Sequence, residues 1–129
     1  MFDGNKAFSS FSVDDVAKAK AFYGDKLGLR IKEGGMGNLD IELGRSTVMI
    51  YPKGEAHTPA SFTVLNFPVP DIGRAVDELA AKGIRMKRYD MKNMKADEKG
   101  IYRDEGGMSV AWFEDPAGNV LSVMELPER

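Results

Sequence analysis

Few side chains in this sequence can bind a metal ion or transfer a proton. The 129 residues include one histidine, His57, and no cysteine, so thiol chemistry and sites built from several imidazoles are excluded. The acidic pairs Asp40–Glu42 and Asp104–Glu105 remain, and two carboxylates can bind a cation or act as acid and base. We expect His57 to be a solvated side chain of a polar loop, and both acidic pairs to face solvent.

The composition is that of a compact soluble protein. Hydrophobic residues make up 43% and charged residues 29% of the chain, and its length suits one domain. Lysine and arginine total 18 against 20 acids, so no basic surface is available for nucleic acid or an anionic membrane. No apolar run approaches the roughly 20 residues that span a bilayer. The first residues lack the pattern of a secretory signal, and we expect a cytoplasmic protein.

Hydrophobic periodicity predicts the same order of elements in each half of the chain. In the first half, Asp15 can cap a helix that ends at Gly28, and in the second half Asp71 and Gly83 have these roles. The predicted strands of the first half cover residues 8–13, 29–33, 38–44 and 46–52. Those of the second half cover residues 61–69, 84–90, 108–114 and 119–126, with a long charged loop at about 91–107.

The two halves have the pattern βαβββ and match by number. Val13, Asp15, Val16 and Ala19 correspond to Val69, Asp71, Ile72 and Ala75 when 56 is added, whereas Gly28 corresponds to Gly83 when 55 is added. Such matches indicate an internal duplication, with a one-residue difference in helix length. We predict an α+β fold of two tandem βαβββ modules in a single domain, with an open, curved mixed sheet around a cleft. The modules cover about 7–52 and 61–127, joined by a polar linker at 53–60.

Two motifs carry a resemblance to a known family. The first joins residues 13–16 (VDDV), 22–23 (FY) and 27–28 (LG), and the second is residues 114–119 (EDPAGN). With the repeat they cover almost the full chain, which resembles the vicinal oxygen chelate superfamily of glyoxalases, bleomycin-resistance proteins, fosfomycin-resistance enzymes and extradiol dioxygenases. The resemblance implies paired βαβββ modules whose sheets curve around an open cleft.

In the metal-dependent members of that family, the resemblance implies one divalent cation held by histidine and glutamate side chains from four strands. The positions that match those ligands are occupied here by Phe8, Met49, Val64 and Ser122. They offer one hydroxyl and one thioether, and neither would hold a hard or borderline divalent ion. We therefore predict that this chain has no metal and no other cofactor.

The residues at those positions, with their neighbours at a spacing of two, predict an apolar and aromatic cleft with a few polar groups, which is typical of a small-molecule site. Trp112, the only tryptophan, can stack on a ligand, and Met91 and Met94 of the long loop can cover the opening. The same residues are also compatible with a filled core that binds nothing. The candidate ligand-binding residues are Phe8, Ser10, Met49, Tyr51, Val64, Asn66, Trp112 and Ser122.

The first hypothesis for the function is a metal-free, glyoxalase- or bleomycin-resistance-like protein that binds a small organic molecule. An alternative is a lyase, isomerase or dioxygenase of the glyoxalase type with non-standard metal ligands, for which Asp40, Glu42 or His57 must face the cleft or a partner chain must donate ligands. A second alternative is a dimeric, non-catalytic structural module. In each case we expect a homodimer, because the edge strands of the sheets would otherwise be open.

Overall fold

The chain forms two four-stranded mixed sheets, each accompanied by one main helix, in the computed structural model, which describes residues 1–127. It divides into two compact units, of which the first ends at Pro59 and the second begins at Ala60. Each unit has the order βαβββ, so the predicted α+β class and the two-module arrangement are confirmed. Among the described residues, no helix is both long enough and apolar enough to span a bilayer.

The first unit contains a sheet in the order β1-β4-β3-β2, in which β1 and β4 are parallel and the other pairs antiparallel. Single 3-10 turns at Gly4–Lys6, Gly35–Gly37 and Gly54–Ala56 accompany it. Its strands and helix are β1 (Ser9–Val13), α1 (Val16–Lys20), β2 (Arg30–Glu33), β3 (Leu39–Glu42) and β4 (Thr47–Pro52).

The helix of the first unit begins at the predicted cap, because the Asp15 side chain accepts a hydrogen bond from the backbone N–H of Lys18 at 3.2 Å. After Lys20 it continues as a π-helical segment, Ala21–Lys26, in which the N–H of Leu27 donates to the carbonyl of Phe22, five residues back. A π-turn accommodates one more residue than an α-turn. The extra residue that the repeat predicts before Gly28 is therefore taken up in this segment.

The second unit contains a sheet in the order β5-β8-β7-β6, in which β5 and β8 are parallel. The helix begins where Asp71 accepts from the N–H of Arg74 at 3.1 Å, and it ends at Ala81, with Lys82 as its C-cap. Its elements are β5 (Thr63–Pro68), α2 (Ile72–Ala81), β6 (Tyr102–Arg103), β7 (Ser109–Glu114) and β8 (Val120–Glu125).

The predicted strand at residues 84–90 is wrong. Only Lys87 in that stretch pairs with the sheet, through an isolated bridge to Trp112, and the rest of this edge of β7 is taken by β6. The physical reason is the burial of Tyr102, which is fully enclosed and whose hydroxyl donates to the Tyr89 carbonyl at 3.0 Å. The buried side chain of Tyr102 holds this part of the charged loop against β7. The edge strand therefore lies within the loop predicted at 91–107.

Candidate functional site

Each sheet has one face against its helix and one face that carries the polar candidates. In the first unit, Phe11 of β1 contacts the ring of buried Tyr23 with 6.0 Å between centroids, so the odd-numbered residues of β1 face the helix. Because side chains alternate along a strand, Ser10 and Ser12 lie on the opposite face. We call this face the open face of the first sheet.

The strand register brings the polar candidates of the first sheet together in two rows. Ser10 pairs with Met49, and Ser12 pairs with Tyr51, between the parallel strands β1 and β4. The sulfur of Met49 is also 3.3 Å from the Nδ2 group of Asn38. Phe8, by contrast, lies one residue outside β1 and its side chain is 62% exposed.

His57 is not a solvated loop side chain, so that prediction is wrong. The ring is half-buried, and its Nδ1 lies 2.8 Å from the Ser12 hydroxyl oxygen, at hydrogen-bonding distance. Because Gly54–Ala56 forms a 3-10 turn, the chain after β4 folds back toward β1 and brings the imidazole to the open face. Ser12, His57 and Tyr51 thus form one polar group on this face.

The two acids of β3 also lie on the open face of the first sheet, and both are half-buried. Asp40 pairs with Met49, so the row across the sheet reads Asp40, Met49, Ser10. The Glu42 carboxylate lies 3.8 Å from the Lys32 ammonium group and 4.0 Å from the Arg30 guanidinium group. Glu42 is therefore neutralised by basic neighbours, whereas Asp40 lies beside the Met49 position.

In the second sheet, Asn66 and Ser122 meet on the face that also carries Trp112. The Ser122 hydroxyl donates to Asn66 Oδ1 at 2.6 Å, and the register continues from Asn66 through Ser122 to Trp112. Ser122 is fully buried, Trp112 is half-buried and Asn66 is exposed. We call this face the open face of the second sheet.

A β-bulge changes the predicted alternation along β5. The register between β5 and β8 shifts between Thr63 and Leu65, so Thr63 pairs with Val120 and Val64 is the unpaired residue. Thr63 therefore joins the face of Asn66, and its Oγ1 accepts a hydrogen bond from Trp112 Nε1 at 3.1 Å. Thr63 was not a candidate from the sequence, because a strict period of two assigns that face to Val64.

The indole of Trp112 lies across the sheet. Trp112 is on β7 and Thr63 is on β5, with β8 between them, so the indole must cross β8 to make the 3.1 Å hydrogen bond. Beneath this path are Val120 and Ser122, which are both buried. Trp112 is half-buried in this position.

Two tyrosines pack against this indole. Tyr89 meets Trp112 edge-to-face at 88° with 5.4 Å between centroids, and Tyr102 is tilted against it at 5.3 Å. The backbone N–H of Tyr89 also donates to the Tyr102 hydroxyl, which donates in turn to the Tyr89 carbonyl. Edge-to-face pairs of this kind are stabilising beyond their buried area. Neither tyrosine was a candidate from the sequence, since pairing of two residues 13 positions apart has no local signal.

A salt bridge adjoins this aromatic group. The Lys87 ammonium group donates to Glu114 at 2.7 Å and lies 5.7 Å from the centre of the Tyr89 ring. The hydrogen bond to Glu114 is the main cause that raises the pKa of Lys87 above its ordinary value, against the opposing effect of burial. Lys87 therefore remains a cation at this edge of the site.

The residues at the four positions that the resemblance matches to metal ligands do not fit a divalent ion. Phe8 and Val64 have no donor atom, the Met49 thioether is a soft ligand, and the Ser122 hydroxyl is committed to Asn66. Across residues 1–127, no three side chains of histidine, aspartate or glutamate are grouped so that they could hold a metal ion. Asp40 alone brings a carboxylate to the row that contains Met49.

Duplicated βαβββ modules, each with a helix on one face of its sheet and an open face on the other, define a glyoxalase-type fold. The chain belongs to the glyoxalase/bleomycin resistance protein/dioxygenase superfamily, whose family model matches residues 8–123. No curated protein sequence is a significant match to the chain.

Solved structures with similar folds include proteins of different activities. A glyoxalase family protein from Enterococcus faecalis is 23% identical with a TM-score of 0.67, over 97% of this chain and all of its own. The fosfomycin resistance protein FosX from Listeria monocytogenes is 14% identical with a TM-score of 0.68, over 98% of this chain and 96% of its own. A lactoylglutathione lyase from Agrobacterium tumefaciens is 20% identical with a TM-score of 0.65, over 93% of each chain. At these identities the likeness shows the fold alone.

Proposed function

We propose that this chain binds a small planar organic molecule on the open face of its second sheet, without a divalent metal ion. The observation that carries the proposal is the position of Trp112, whose indole lies across β8 with the exposed amide of Asn66 in the same row. A flat aromatic surface beside a few polar groups is the usual composition of a small-molecule site. The role is sequestration or carriage of the ligand.

The indole is held in one orientation, which favours stacking. Its N–H is bonded to Thr63, and the rings of Tyr89 and Tyr102 pack against it, so little rotamer freedom remains to be lost when a ligand binds. Preorganisation of this kind raises affinity, because the entropy of the side chain is lost when the protein folds and not when the ligand binds. An aromatic ligand can therefore stack on an indole ring whose position is already fixed.

The donor chemistry supports binding without a metal ion. At the four positions that the resemblance matches to metal ligands, the chain carries Phe8, Met49, Val64 and Ser122, and none of these provides a carboxylate or an imidazole. The open face of the first sheet has a related composition, with Tyr51 beside the Ser12–His57 pair, and is the second place where ligand contacts are expected.

The experiment has two arms. The metal content of purified, untagged protein is measured first, with thermal shifts in Ni²⁺, Zn²⁺, Mn²⁺ and Fe²⁺, and we expect neither bound metal nor a metal-specific shift. A panel of planar aromatic compounds is then screened by thermal shift and calorimetry. For a compound that binds, Trp112→Leu should weaken affinity about tenfold or more. The control Phe2→Leu, which replaces another exposed aromatic side chain, should leave affinity unchanged.

The second candidate is a metal-dependent lyase or isomerase of the glyoxalase type. The position of Asp40 in one row with Met49 and Ser10 favours it, because a carboxylate there can contribute to an oxygen-donor site. Near-stoichiometric metal, or a metal-specific thermal shift lost in Asp40→Asn, would replace the binding proposal with this one. Asp25→Asn, an exposed acid elsewhere in the first unit, is the matched control.

A further inference from the structure

We infer that the ligand of the second sheet's open face is an aromatic molecule whose ring bears a hydrogen-bond acceptor oxygen, and that Asn66 donates to this oxygen through Nδ2. The inference rests on the proposed function and names the class of ligand. It follows from the way in which Ser122 orients the Asn66 amide, together with the position of that amide relative to Trp112.

The orientation of the amide is determined by its contact with Ser122. The Ser122 hydroxyl oxygen lies 2.6 Å from Asn66 Oδ1. This distance is typical of an O–H···O hydrogen bond and shorter than usual for N–H···O. Since Ser122 is fully buried, water does not compete for its hydroxyl. The carbonyl end of the amide therefore faces the sheet.

With the carbonyl end held by Ser122, the Nδ2 end of the amide is directed away from the sheet. The Nδ2 group has two N–H bonds and no acceptor capacity. Asn66 is exposed, and within the described part of the chain the one hydrogen bond of its side chain is that from Ser122. A ligand that contacts this end of the amide supplies an acceptor, such as the oxygen of a ketone, a nitro group or a carboxylate.

The distance from the amide to the indole fits such a ligand. Trp112, Ser122 and Asn66 lie in one row across three adjacent strands, which places the outer two Cα atoms about 10 Å apart. The indole N–H bonds to Thr63, which is the residue before Asn66 on this face of β5, so the indole approaches the Asn66 amide from the adjacent row. A ring stacked on the indole then directs a substituent oxygen toward Asn66.

The test compares two probes that differ in one group. 2-Acetonaphthone has a carbonyl oxygen on a naphthalene ring, and 2-isopropylnaphthalene has the same shape without an acceptor. Because Trp112 is the only tryptophan, its fluorescence reports binding at this face, and calorimetry provides the affinity. We expect the ketone to bind about tenfold more tightly, the effect of one hydrogen bond to an otherwise unpaired donor.

Two variants test the assigned roles. Asn66→Asp replaces the two N–H donors with an acceptor at the same shape, and should abolish the preference for the ketone. Ser122→Ala removes the group that orients the amide, and should reduce the preference while leaving the affinity for 2-isopropylnaphthalene unchanged. Asn5→Asp, an exposed residue of the first unit, controls for the added charge. Circular dichroism checks that each variant is folded.

The outcomes separate the inference from the proposed function. Equal quenching of Trp112 by both probes, or an unchanged preference in Asn66→Asp, overturns the inference and leaves the proposed function standing. If neither probe affects Trp112 or releases heat at its solubility limit, and the wider aromatic panel also fails, the proposed function is overturned with it.

Discussion

Trp112 and Thr63 are joined across an intervening strand, with 3.1 Å between the indole nitrogen and the threonine hydroxyl. The hydrogen bond holds the largest aromatic side chain of the protein against the sheet. It depends on the β-bulge in β5, which turns Thr63 onto the face of Trp112. A local irregularity of the backbone thus determines where the aromatic surface of the candidate site lies.

Replacement of Thr63 by valine should release the indole. The change preserves shape but removes the acceptor, so the half-buried N–H is left without its partner and the free energy of unfolding should fall by about 1 to 2 kcal/mol. The emission maximum of Trp112 should move because the ring becomes free to leave β8. Urea unfolding followed by tryptophan fluorescence measures both effects. The control Thr58→Val alters an exposed threonine, and equal behaviour of the two variants would contradict the prediction.

Asp97 should make stability depend on acidic pH. Burial tends to raise its pKa, but the hydrogen bond to Arg103 at 2.6 Å and those from the N–H groups of Ile101 and Lys99 together hold the pKa below the ordinary 3.8. A carboxyl with a lowered pKa stabilises the fold above its unfolded value, and this contribution is lost as pH falls through the folded pKa.

The variant Asp97→Asn should therefore be less stable than the original chain at pH 7, and the difference should narrow below about pH 3.8. The measurement is the free energy of unfolding from pH 7 to pH 3. Asp25→Asn, which changes an exposed carboxylate, should show no such convergence. A difference for Asp97→Asn that stays constant over this range would show that the carboxylate's charge is not responsible.

The parts of the fold that could be predicted are those with a local signal. The caps Asp15 and Asp71 were identified because an aspartate before an apolar stripe satisfies free N–H groups, and both make that bond. Residues 115–118 also have a local signal, since Asp, Pro and Gly occupy the positions that a type I turn prefers, and the N–H of Gly118 donates to the Asp115 carbonyl at 3.0 Å. Gly28 and Gly83 are 55 residues apart, whereas the other matched positions are 56 apart. This difference indicated one extra residue in the first helix but did not indicate where in the helix it lies.

The parts that could not be predicted depend on contacts distant in sequence. His57 reaches Ser12, which is 45 residues away, only after the chain has turned at residues 54–56. Tyr102 replaces the predicted strand at 84–90 as the partner of β7, because its buried side chain is fastened to Tyr89. Alternation along a strand also cannot reveal a bulge, which is why Thr63 was missed.

The π-helical segment should tolerate the removal of one residue. Deletion of Asp25, which is exposed, should allow residues 21–26 to close as an α-helix like α2, at a cost below about 1 kcal/mol. Deletion of the exposed Glu78 within α2 should cost several times more, about 3 kcal/mol or above, because it rotates the buried face of a regular helix away from the sheet. Denaturant unfolding of the two variants is the measurement. Equal losses would show that the π-turn does not absorb the extra residue.

Gly100 should be less replaceable than Gly83. Its φ is +86°, and a Cβ atom added there would lie 2.8 Å from the Cβ of Met86, closer than side chains approach one another. Gly83 has a similar φ of +81° but has open space around it.

The left-handed conformation costs an alanine roughly 1 to 2 kcal/mol at either site. At Gly100 the backbone must also shift, which adds about 1 to 3 kcal/mol. Gly100→Ala should therefore lose clearly more stability than Gly83→Ala in urea unfolding, and the loss caused by Gly100→Ala should be smaller in a Met86→Gly background, which lacks that Cβ atom. If the two glycine variants unfold at the same urea concentration, the close approach of Gly100 to Met86 does not constrain the loop.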